Sequence, residues 1–362
     1  MKPFVIFLTA FIVVLAMIPF LVRWGLEKDI VDSPEERKIH RVAKPRLGGI
    51  AICMGLLFSI LCFCQVTPAV RGILAGGLLL FWAGVMDDLK GLSARQKLTG
   101  QVLSAAVAVA VGGLTISNLG NLFGFGDLIL PPWIGVPFTI FAIVGMINAI
   151  NLFDGLDGLA AGVSIIALSI FIVFALFTGN RLVVTLGAGL LGALLAFLKY
   201  NFYPARIFMG DAGSMLCGFC LACLAIVLTQ APNSSPDLVS PALPVLVLGL
   251  PIMDTLWVMG RRLGYGRNPF APDKTHLHHR LLQLGFSHLA VVLTIWAGTL
   301  GWGFLAVLLR HSPEYFALGL FLVLSLVRYA LLKGLLKGLR GRPQGGLVGR
   351  AGLSGIVRGR PN

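Results

Sequence analysis

Apolar runs of membrane-spanning length recur along almost the whole chain, and they restrict its fold more than any other feature. The chain has 362 residues, of which 57% are hydrophobic and only 12% are charged. A soluble domain is nearer one quarter charged. Because a run of about 20 apolar residues can cross a bilayer as a helix, the sequence predicts an all-α, polytopic membrane protein.

We place about eleven transmembrane helices along the chain. They cover approximately residues 3–22, 47–66, 69–86, 98–116, 134–153, 158–178, 182–199, 213–229, 241–260, 289–309 and 315–336. The ninth span is expected to be broken or kinked, because it contains Pro241, Pro244, Gly249 and Pro251. Residues 1–336 are expected to form a single integral-membrane domain, followed by a basic Gly/Arg-rich cytoplasmic tail at 337–362.

Lysine and arginine are distributed unevenly between the two ends of the predicted spans. Loops at one end carry 25 of these residues, whereas the other end carries only four, Lys2, Arg71, Arg181 and Arg310. The positive-inside rule places the basic end in the cytoplasm, with the N-terminus outside and the C-terminus inside. This sorting accounts for the net charge of +14 without a nucleic-acid partner.

The polar motifs that suggest chemistry all lie on the predicted cytoplasmic side. They fall in the loops 23–46, 87–97, 154–157, 200–212 and 261–288. A transporter or flippase should instead place ionisable groups near the bilayer midplane, and Asp254 is the one candidate for such a position. The arrangement favours an enzyme that acts on a cytosolic substrate and a membrane-embedded one.

Two acidic motifs stand at ends of predicted spans. Asp87 and Asp88 follow the third span. A close acidic pair either binds a divalent cation or retains one proton and serves as a base; the alternative is a solvated helix terminus. Asp211, in a Gly-rich turn before the eighth span, is a hard oxygen ligand suited to Mg²⁺. Phe208 in the same turn could stack on a base or be an interfacial aromatic.

A third motif combines carboxamides with carboxylates. Asn148 and Asn151 end the fifth span, and Asp154 and Asp157 follow at a spacing that shares one helix face. The next span then offers its N-terminal amides to an anion. A capping box between two spans is the alternative interpretation, but it leaves the Asn pair unexplained.

The segment His276-Leu-His278-His279-Arg280 lies in a predicted cytoplasmic loop. Zinc is disfavoured, because no Cys accompanies it and adjacent His residues on a regular helix cannot both reach one metal. A cationic cluster of Arg280 and partly protonated His that binds phosphate is a better fit. A loop that is merely basic remains the alternative.

Taken in order, six motifs resemble the polyprenyl-phosphate N-acetylhexosamine-1-phosphate transferase superfamily, or glycosyltransferase family 4. They are Arg37-Lys-Ile-His40 with Pro45-Arg46-Leu-Gly48-Gly49, Met86-Asp87-Asp88, Gly91-Leu-Ser-Ala-Arg95-Gln-Lys97-Leu, Asn148-x-x-Asn151-x-x-Asp154-Gly-x-Asp157-Gly-Leu, Phe208-Met-Gly-Asp211-x-Gly-Ser214 and Pro272-Asp273-Lys-x-His276-Leu-His278-His279-Arg280. The muramoyl-pentapeptide branch typically has three consecutive His. The chain looks closest to the undecaprenyl-phosphate N-acetylglucosamine-1-phosphate transferase branch.

The resemblance implies a reaction at the bacterial cytoplasmic membrane. A UDP-N-acetylhexosamine, with UDP-N-acetylglucosamine the first expectation, gives its sugar 1-phosphate to undecaprenyl phosphate and releases UMP. The product is the first lipid-linked intermediate of a cell-surface polysaccharide of O-antigen, common-antigen or teichoic-acid type. The resemblance implies dependence on Mg²⁺, with Mn²⁺ as a substitute, and contact with membrane lipids; a homodimer is compatible with it.

The resemblance also implies residue roles. Asp211 would be the main Mg²⁺ ligand, and Asp87 or Asp88 would either act as the base or support the metal. His279 is a further catalytic candidate. The nucleotide would lie near Asn148, Asn151, Asp154, Asp157 and Phe208. The phosphates and the sugar would lie near Lys44, Arg46, Lys97, His276, His278 and Arg280.

Besides the transporter, one other enzyme class is an alternative. A Mg²⁺-dependent intramembrane prenyltransferase also uses paired aspartates, but it should carry two similar Asp-rich motifs on separate helices. This chain has Asp154-x-x-Asp157 without a matching partner, and the His segment would have no role.

Overall fold

The computed structural model describes residues 2–32, 44–230, 239–266 and 275–340. Motif residues 37–40 and 272–274, and the tail from residue 341 onward, lie outside the described residues.

In the described part of the chain, the structure consists of helices, their connecting loops and one small strand pair. In chain order the elements are α1 (Lys2–Glu27), β1 (Val31–Asp32), β2 (Lys44–Pro45), α2 (Gly48–Phe63), α3 (Pro68–Lys90), α4 (Ala94–Gly112), α5 (Pro132–Phe153), α6 (Leu159–Phe177), α7 (Arg181–Asn201), α8 (Gly210–Thr229), α9 (Ala242–Val247), α10 (Gly249–Gly264), α11 (Leu277–Gln283), α12 (His288–Leu308) and α13 (Glu314–Arg340).

Every predicted span overlaps a helix, and the ninth is divided at Leu248 into α9 and α10, as its prolines predict. Within the described residues, eight helices are long and apolar enough to cross a membrane: α1, α3, α5, α6, α7, α8, α12 and α13. The 16-residue α2 and the more polar α4 are outside this set. The chain is thus a nearly all-helical, polytopic membrane protein. Eleven crossings and the orientation of the termini stay predictions.

Three local features differ from the expectation. β1 and β2 pair antiparallel and form a short two-stranded ribbon in the basic segment after α1. The acidic pair Asp87-Asp88 does not follow α3 but lies in its last turn, because α3 continues to Lys90 and ends where Gly91 takes a φ of 68°. The His segment contains a helix, α11, which the loop assignment did not predict.

The centre of the molecule is α8, which is almost completely buried and packs against α2, α3 and α5. Glycines permit the closest contacts: a Cβ added to Gly49 would lie 2.3 Å from the nitrogen of Gly213, and one added to Gly84 would lie 2.4 Å from Cα of Ala212. Because the backbones themselves touch here, the first turn of α8 has little freedom to shift relative to α2 and α3. That turn carries Asp211.

Candidate active site

One lysine joins two of the predicted acids. Lys97 Nζ lies 2.6 Å from Asp87 Oδ2 and 2.9 Å from Asp211 Oδ1. These residues come from α4, α3 and α8, so three helix ends converge on one ammonium group. Two contacts hold the short loop between α3 and α4. Ser93 and Gln96 form a capping box at the start of α4, and Asp87 Oδ1 accepts the Leu92 N–H at 2.8 Å.

Asp88 interacts mainly with backbone. Its two carboxylate oxygens accept the N–H groups of Asp211, at 2.8 Å, and Ala212, at 3.0 Å. These are otherwise unpaired donors at the start of α8, where a carboxylate is also favoured by the helix dipole. A Cβ at Gly210, which has a φ of 72°, would lie 2.7 Å from Asp88 Oδ2. Asp88 therefore fixes the backbone that presents Asp211.

The two motif asparagines have different surroundings. We call Asp87, Asp88, Asp154 and Asp211 the carboxylate cluster. Asn151 Nδ2 donates to Asp211 Oδ1 and to Ser214 Oγ and so belongs to its surroundings. Asn148, one turn earlier, forms a reciprocal amide pair with buried Gln101 of α4. The Asn148 side chain thus lies in the α4–α5 contact, and its expected position near the nucleotide stays a prediction.

Asp154 lies between α5 and α6, close to the other acids. Burial, together with the neighbouring charges of Asp211 and Asp88, raises the pKa of Asp154 to about 8. The positive charge of Arg46 acts in the opposite direction on the pKa of Asp154. Asp154 is thus largely protonated at neutral pH in the absence of a further cation.

Asp157 is an anchor for the turn that precedes α8. Its Oδ2 accepts the Ala205 N–H at 2.9 Å and pairs with Lys44 Nζ at 3.3 Å. Lys44 also lies 5.1 Å from the ring centroid of Phe208. We expected Asp157 beside the nucleotide; its observed contacts hold protein segments together. Phe208 is half-buried, with the ammonium group of Lys44 over its ring.

The backbone of the same turn is fixed by the start of α2. Phe208 N–H donates to the carbonyl oxygen of Pro45, and the Gly48 and Gly49 N–H groups donate to the carbonyl oxygens of Phe208 and Met209, at 2.8–2.9 Å. The basic residues Lys44 and Arg46 are thereby held beside the carboxylate cluster.

The side chains of the His segment point in two directions. His278 is buried against the turn after α5, where a Cβ on Gly155 would lie 2.6 Å from His278 Nε2. Burial and the neighbouring imidazoles lower the pKa of His278 to about 3, so this ring is neutral, in contrast to the expected partial protonation. The adjacent His279 is half-buried, with its ring centroid 4.2 Å from that of His278.

His276 and Arg280 turn toward α10 and α13. His276 Nδ1 lies 2.9 Å from Asp254 Oδ2. Arg280 Nε donates to the Thr275 carbonyl oxygen at 2.7 Å, and its guanidinium lies over the ring of Tyr329 at 5.6 Å. Arg280 was expected at the phosphates; its observed contacts hold α11 to its neighbours.

No group of three or more His, Cys, Asp or Glu within the described ranges is arranged to hold a metal ion. The residues nevertheless fit Mg²⁺ in kind. Asp87 and Asp211 are hard oxygen ligands, and they already share one cation, the ammonium of Lys97. Asp154, whose pKa is raised chiefly by burial, is a further oxygen ligand nearby.

Four further polar residues shape the site, and the sequence motifs alone assigned them no role in it. Gln101 and Ser214 orient Asn148 and Asn151. Asn201 links the Gly158 N–H to the Ile207 carbonyl oxygen. Asp254 was noted only as a mid-span acid. Each is a polar side chain beside or within an apolar run. The free-energy cost of placing a polar group there is the signal that could have identified these residues.

Comparison with known proteins adds an independent finding. Residues 70–229 match the family model described as glycosyl transferase family 4. The chain is 35% identical over 329 residues to a Bacillus subtilis protein named as a probable undecaprenyl-phosphate N-acetylglucosaminyl 1-phosphate transferase, covering 89% of this chain and 88% of that protein.

Two further relatives have related names. A decaprenyl-phosphate N-acetylglucosaminephosphotransferase of Mycobacterium leprae is 36% identical over 302 residues, or 76% of each chain. An undecaprenyl-phosphate alpha-N-acetylglucosaminyl 1-phosphate transferase of Escherichia coli is 31% identical over 301 residues, or 81% of each chain.

Proposed function

The chain belongs to glycosyl transferase family 4, and from this membership we propose that it transfers N-acetylglucosamine 1-phosphate from UDP-N-acetylglucosamine to undecaprenyl phosphate. A phosphate oxygen of the lipid forms a new bond to the β-phosphorus of the donor. The bond from that phosphorus to the bridging oxygen breaks, and UMP leaves. The relatives' names support the sugar and a polyprenyl acceptor.

The observation that carries this proposal is the position of Lys97 between Asp87 and Asp211. Joining a lipid phosphate to a diphosphate brings anions together, so the reaction needs positive charge and alignment more than covalent chemistry. Lys97 supplies charge at the point where three helices meet. Lys44 and Arg46 supply more charge beside it.

We propose that Mg²⁺ binds at Asp211, with Asp88 and Asp87 in support and Mn²⁺ as a substitute. When bound, the ion would neutralise phosphate charge and favour departure of UMP. Asp88 acts on Asp211 through the backbone of α8, since its oxygens accept the N–H groups of Asp211 and Ala212. Asp87 keeps Lys97 in place. The lipid phosphate has a second pKa near 6 and is mostly dianionic at neutral pH without a base.

We further propose that this site faces the cytoplasm at the inner membrane of a bacterium. The basic loops favour that side, and the donor is a cytosolic nucleotide sugar. The product would begin a surface polysaccharide of O-antigen, common-antigen or teichoic-acid type.

The test is a set of radiolabelled UDP-sugars offered to the purified protein with undecaprenyl phosphate and Mg²⁺. UDP-N-acetylglucosamine should label the lipid fastest, ahead of UDP-N-acetylgalactosamine and the 6-deoxy N-acetylhexosamines. Asp127→Asn, in an exposed loop where Asp127 contacts Asn118, is the control and should retain full activity. Absence of labelled lipid with every N-acetylhexosamine would contradict the proposal.

A further inference from the structure

A buried carboxylate outside the catalytic cluster holds the His segment in place. Asp254 of α10 is 6% exposed. Its Oδ2 lies 2.9 Å from His276 Nδ1, and its Oδ1 accepts the Leu277 N–H at 2.9 Å. One side chain thus contacts both the ring of His276 and the first backbone donor of α11.

The helix α11 is short, and its first turn is held by this contact. It has only seven residues, which is too short to be stable by itself. Its N-cap residue, His276, makes no side-chain cap hydrogen bond. Asp254 supplies the missing cap from a different helix, and so ties the start of α11 to α10.

The surroundings of Asp254 are basic and aromatic. It lines a small cavity with Trp257, Arg280, Arg328 and Tyr329, among others, and it is the acidic side chain of that lining. Within the described residues, the buried Nε and Nη1 atoms of Arg328 have no hydrogen-bond partner. The carboxylate of Asp254 is therefore the one group in this cavity wall that can balance the nearby guanidinium charge.

These contacts determine where the hydrogen of His276 lies. An ionised carboxylate can only accept, so in this contact Nδ1 of His276 carries the hydrogen. The His276 ring lies parallel to that of His278, with centroids 6.1 Å apart. His278 in turn lies against the turn at Gly155, next to Asp154. The rings of His276 and His278 thus lie between Asp254 and the turn at Gly155.

We propose that Asp254 is a positioning residue: it fixes His276 in the Nδ1–H form and holds α11 against the turn between α5 and α6. Its effect on phosphate transfer rests on the proposed function, whereas the position of the hydrogen does not.

Asp254→Asn is the most informative substitution, because it preserves shape and changes hydrogen bonding. An amide has one acceptor oxygen and one donor nitrogen. Leu277 and His276 contact different oxygens of Asp254, and the amide has an acceptor at only one of these two positions. If its oxygen keeps the Leu277 N–H, its nitrogen must donate to His276 Nδ1, and the ring hydrogen moves to Nε2. Asp254→Glu retains two acceptors and should restore the native form in part.

The first measurement is independent of activity. Nitrogen-15 NMR of histidine-labelled protein in nanodiscs, with His276 assigned by its loss in His276→Gln, should show hydrogen on Nδ1 in the wild type and on Nε2 in Asp254→Asn. A wild-type spectrum with hydrogen on Nε2 and none on Nδ1 would overturn the proposal. This spectrum tests the position of the hydrogen even if the Asn variant does not fold.

The second measurement is kinetic. We expect kcat of Asp254→Asn to fall about 10- to 100-fold, the range for residues that orient a histidine through a carboxylate, with KM for the UDP-sugar nearly unchanged and partial recovery in Asp254→Glu. A changed ring form with unchanged kcat would overturn the positioning role. If the wild type itself transfers no sugar phosphate, the proposed function fails, but the NMR result still tests the Asp254–His276 contact.

Discussion

The carboxylate cluster and the His segment form two sides of the same candidate site, but different forces hold them in place. The cluster is built on the ends of α3, α4, α5 and α8. The backbones of α2, α3 and α8 approach closely at Gly49, Gly84 and Gly213. The His segment is built on α11, a seven-residue helix whose first turn is held by the side chain of Asp254.

This difference shows how rigidity is distributed in the molecule. Close backbone packing in the apolar interior positions the groups that share Lys97, and loss of one of their side chains should change chemistry more than structure. In the His segment the reverse is expected, since one carboxylate supports a whole short helix. The predictions below test this contrast, beginning with the largest effect.

The largest effect is expected from Asp211→Asn. An amide cannot replace an anionic oxygen ligand, so the rate of transfer should fall about 10³-fold or more, since the proposed metal supplies several kcal/mol. The variant should still insert and unfold at the wild-type temperature, because the backbone of α8 is held by Asp88 and by packing. Ordinary turnover at the usual Mg²⁺ concentration would remove Asp211 from the metal-ligand role.

A smaller loss is expected from Lys97→Gln, because Asp87 and Asp211 then lack their shared cation. We expect kcat/KM for the UDP-sugar to fall about 10²-fold, the effect of removing one preorganised electrostatic group. Lys90→Gln, an exposed lysine at the end of α3, is the matched control. Equal losses in the two variants would mean that Lys97 acts only through general surface charge.

The packing itself is tested by Gly49→Ala. The new Cβ would overlap the backbone of Gly213, and overpacking of this kind costs about 1–3 kcal/mol of unfolding free energy. Gly145→Ala is the control, because a Cβ there meets nothing within 4 Å and should stabilise the helix slightly. Both are measured by denaturant unfolding in detergent. If they unfold alike, backbone contact is not what positions the cluster.

The smallest effect concerns His278. Its pKa of about 3 means that the ring is already neutral at pH 5 and remains so as the pH rises to 9. It should therefore add no positive charge at the phosphates in this range, and its NMR shifts should stay constant. A titration midpoint between pH 5 and 8 would show that the ring is less buried than the structure has it and that the His segment can supply a cation after all.

The sequence was informative about long-range order and less so about side-chain direction. Apolar runs predicted where helices lie, and the prolines at 241–251 predicted the break between α9 and α10. Acids at helix ends drew attention to Asp87 and Asp211, which share Lys97, because carboxylates beside hydrocarbon are costly.

Pairing between helices could not be foreseen in the same way. Asn148 looks equivalent to Asn151 in the sequence, and only the proximity of α4 shows that Gln101 pairs with it. Arg280 was expected at the phosphates from its sequence alone, and only the fold shows that its guanidinium lies over Tyr329 of α13. Such assignments depend on contacts between residues far apart in the chain, which no local pattern encodes.

The most direct test of the central claim follows the fate of the donor's β-phosphate. Purified protein is incubated with undecaprenyl phosphate, Mg²⁺ and UDP-N-acetylglucosamine labelled with ³²P at the β position. If a sugar 1-phosphate is transferred at the carboxylate cluster around Lys97, the label should enter the lipid and UMP should accumulate in equal amount. Asp211→Asn should stop both. Release of labelled UDP, with unlabelled sugar on the lipid, would contradict the account.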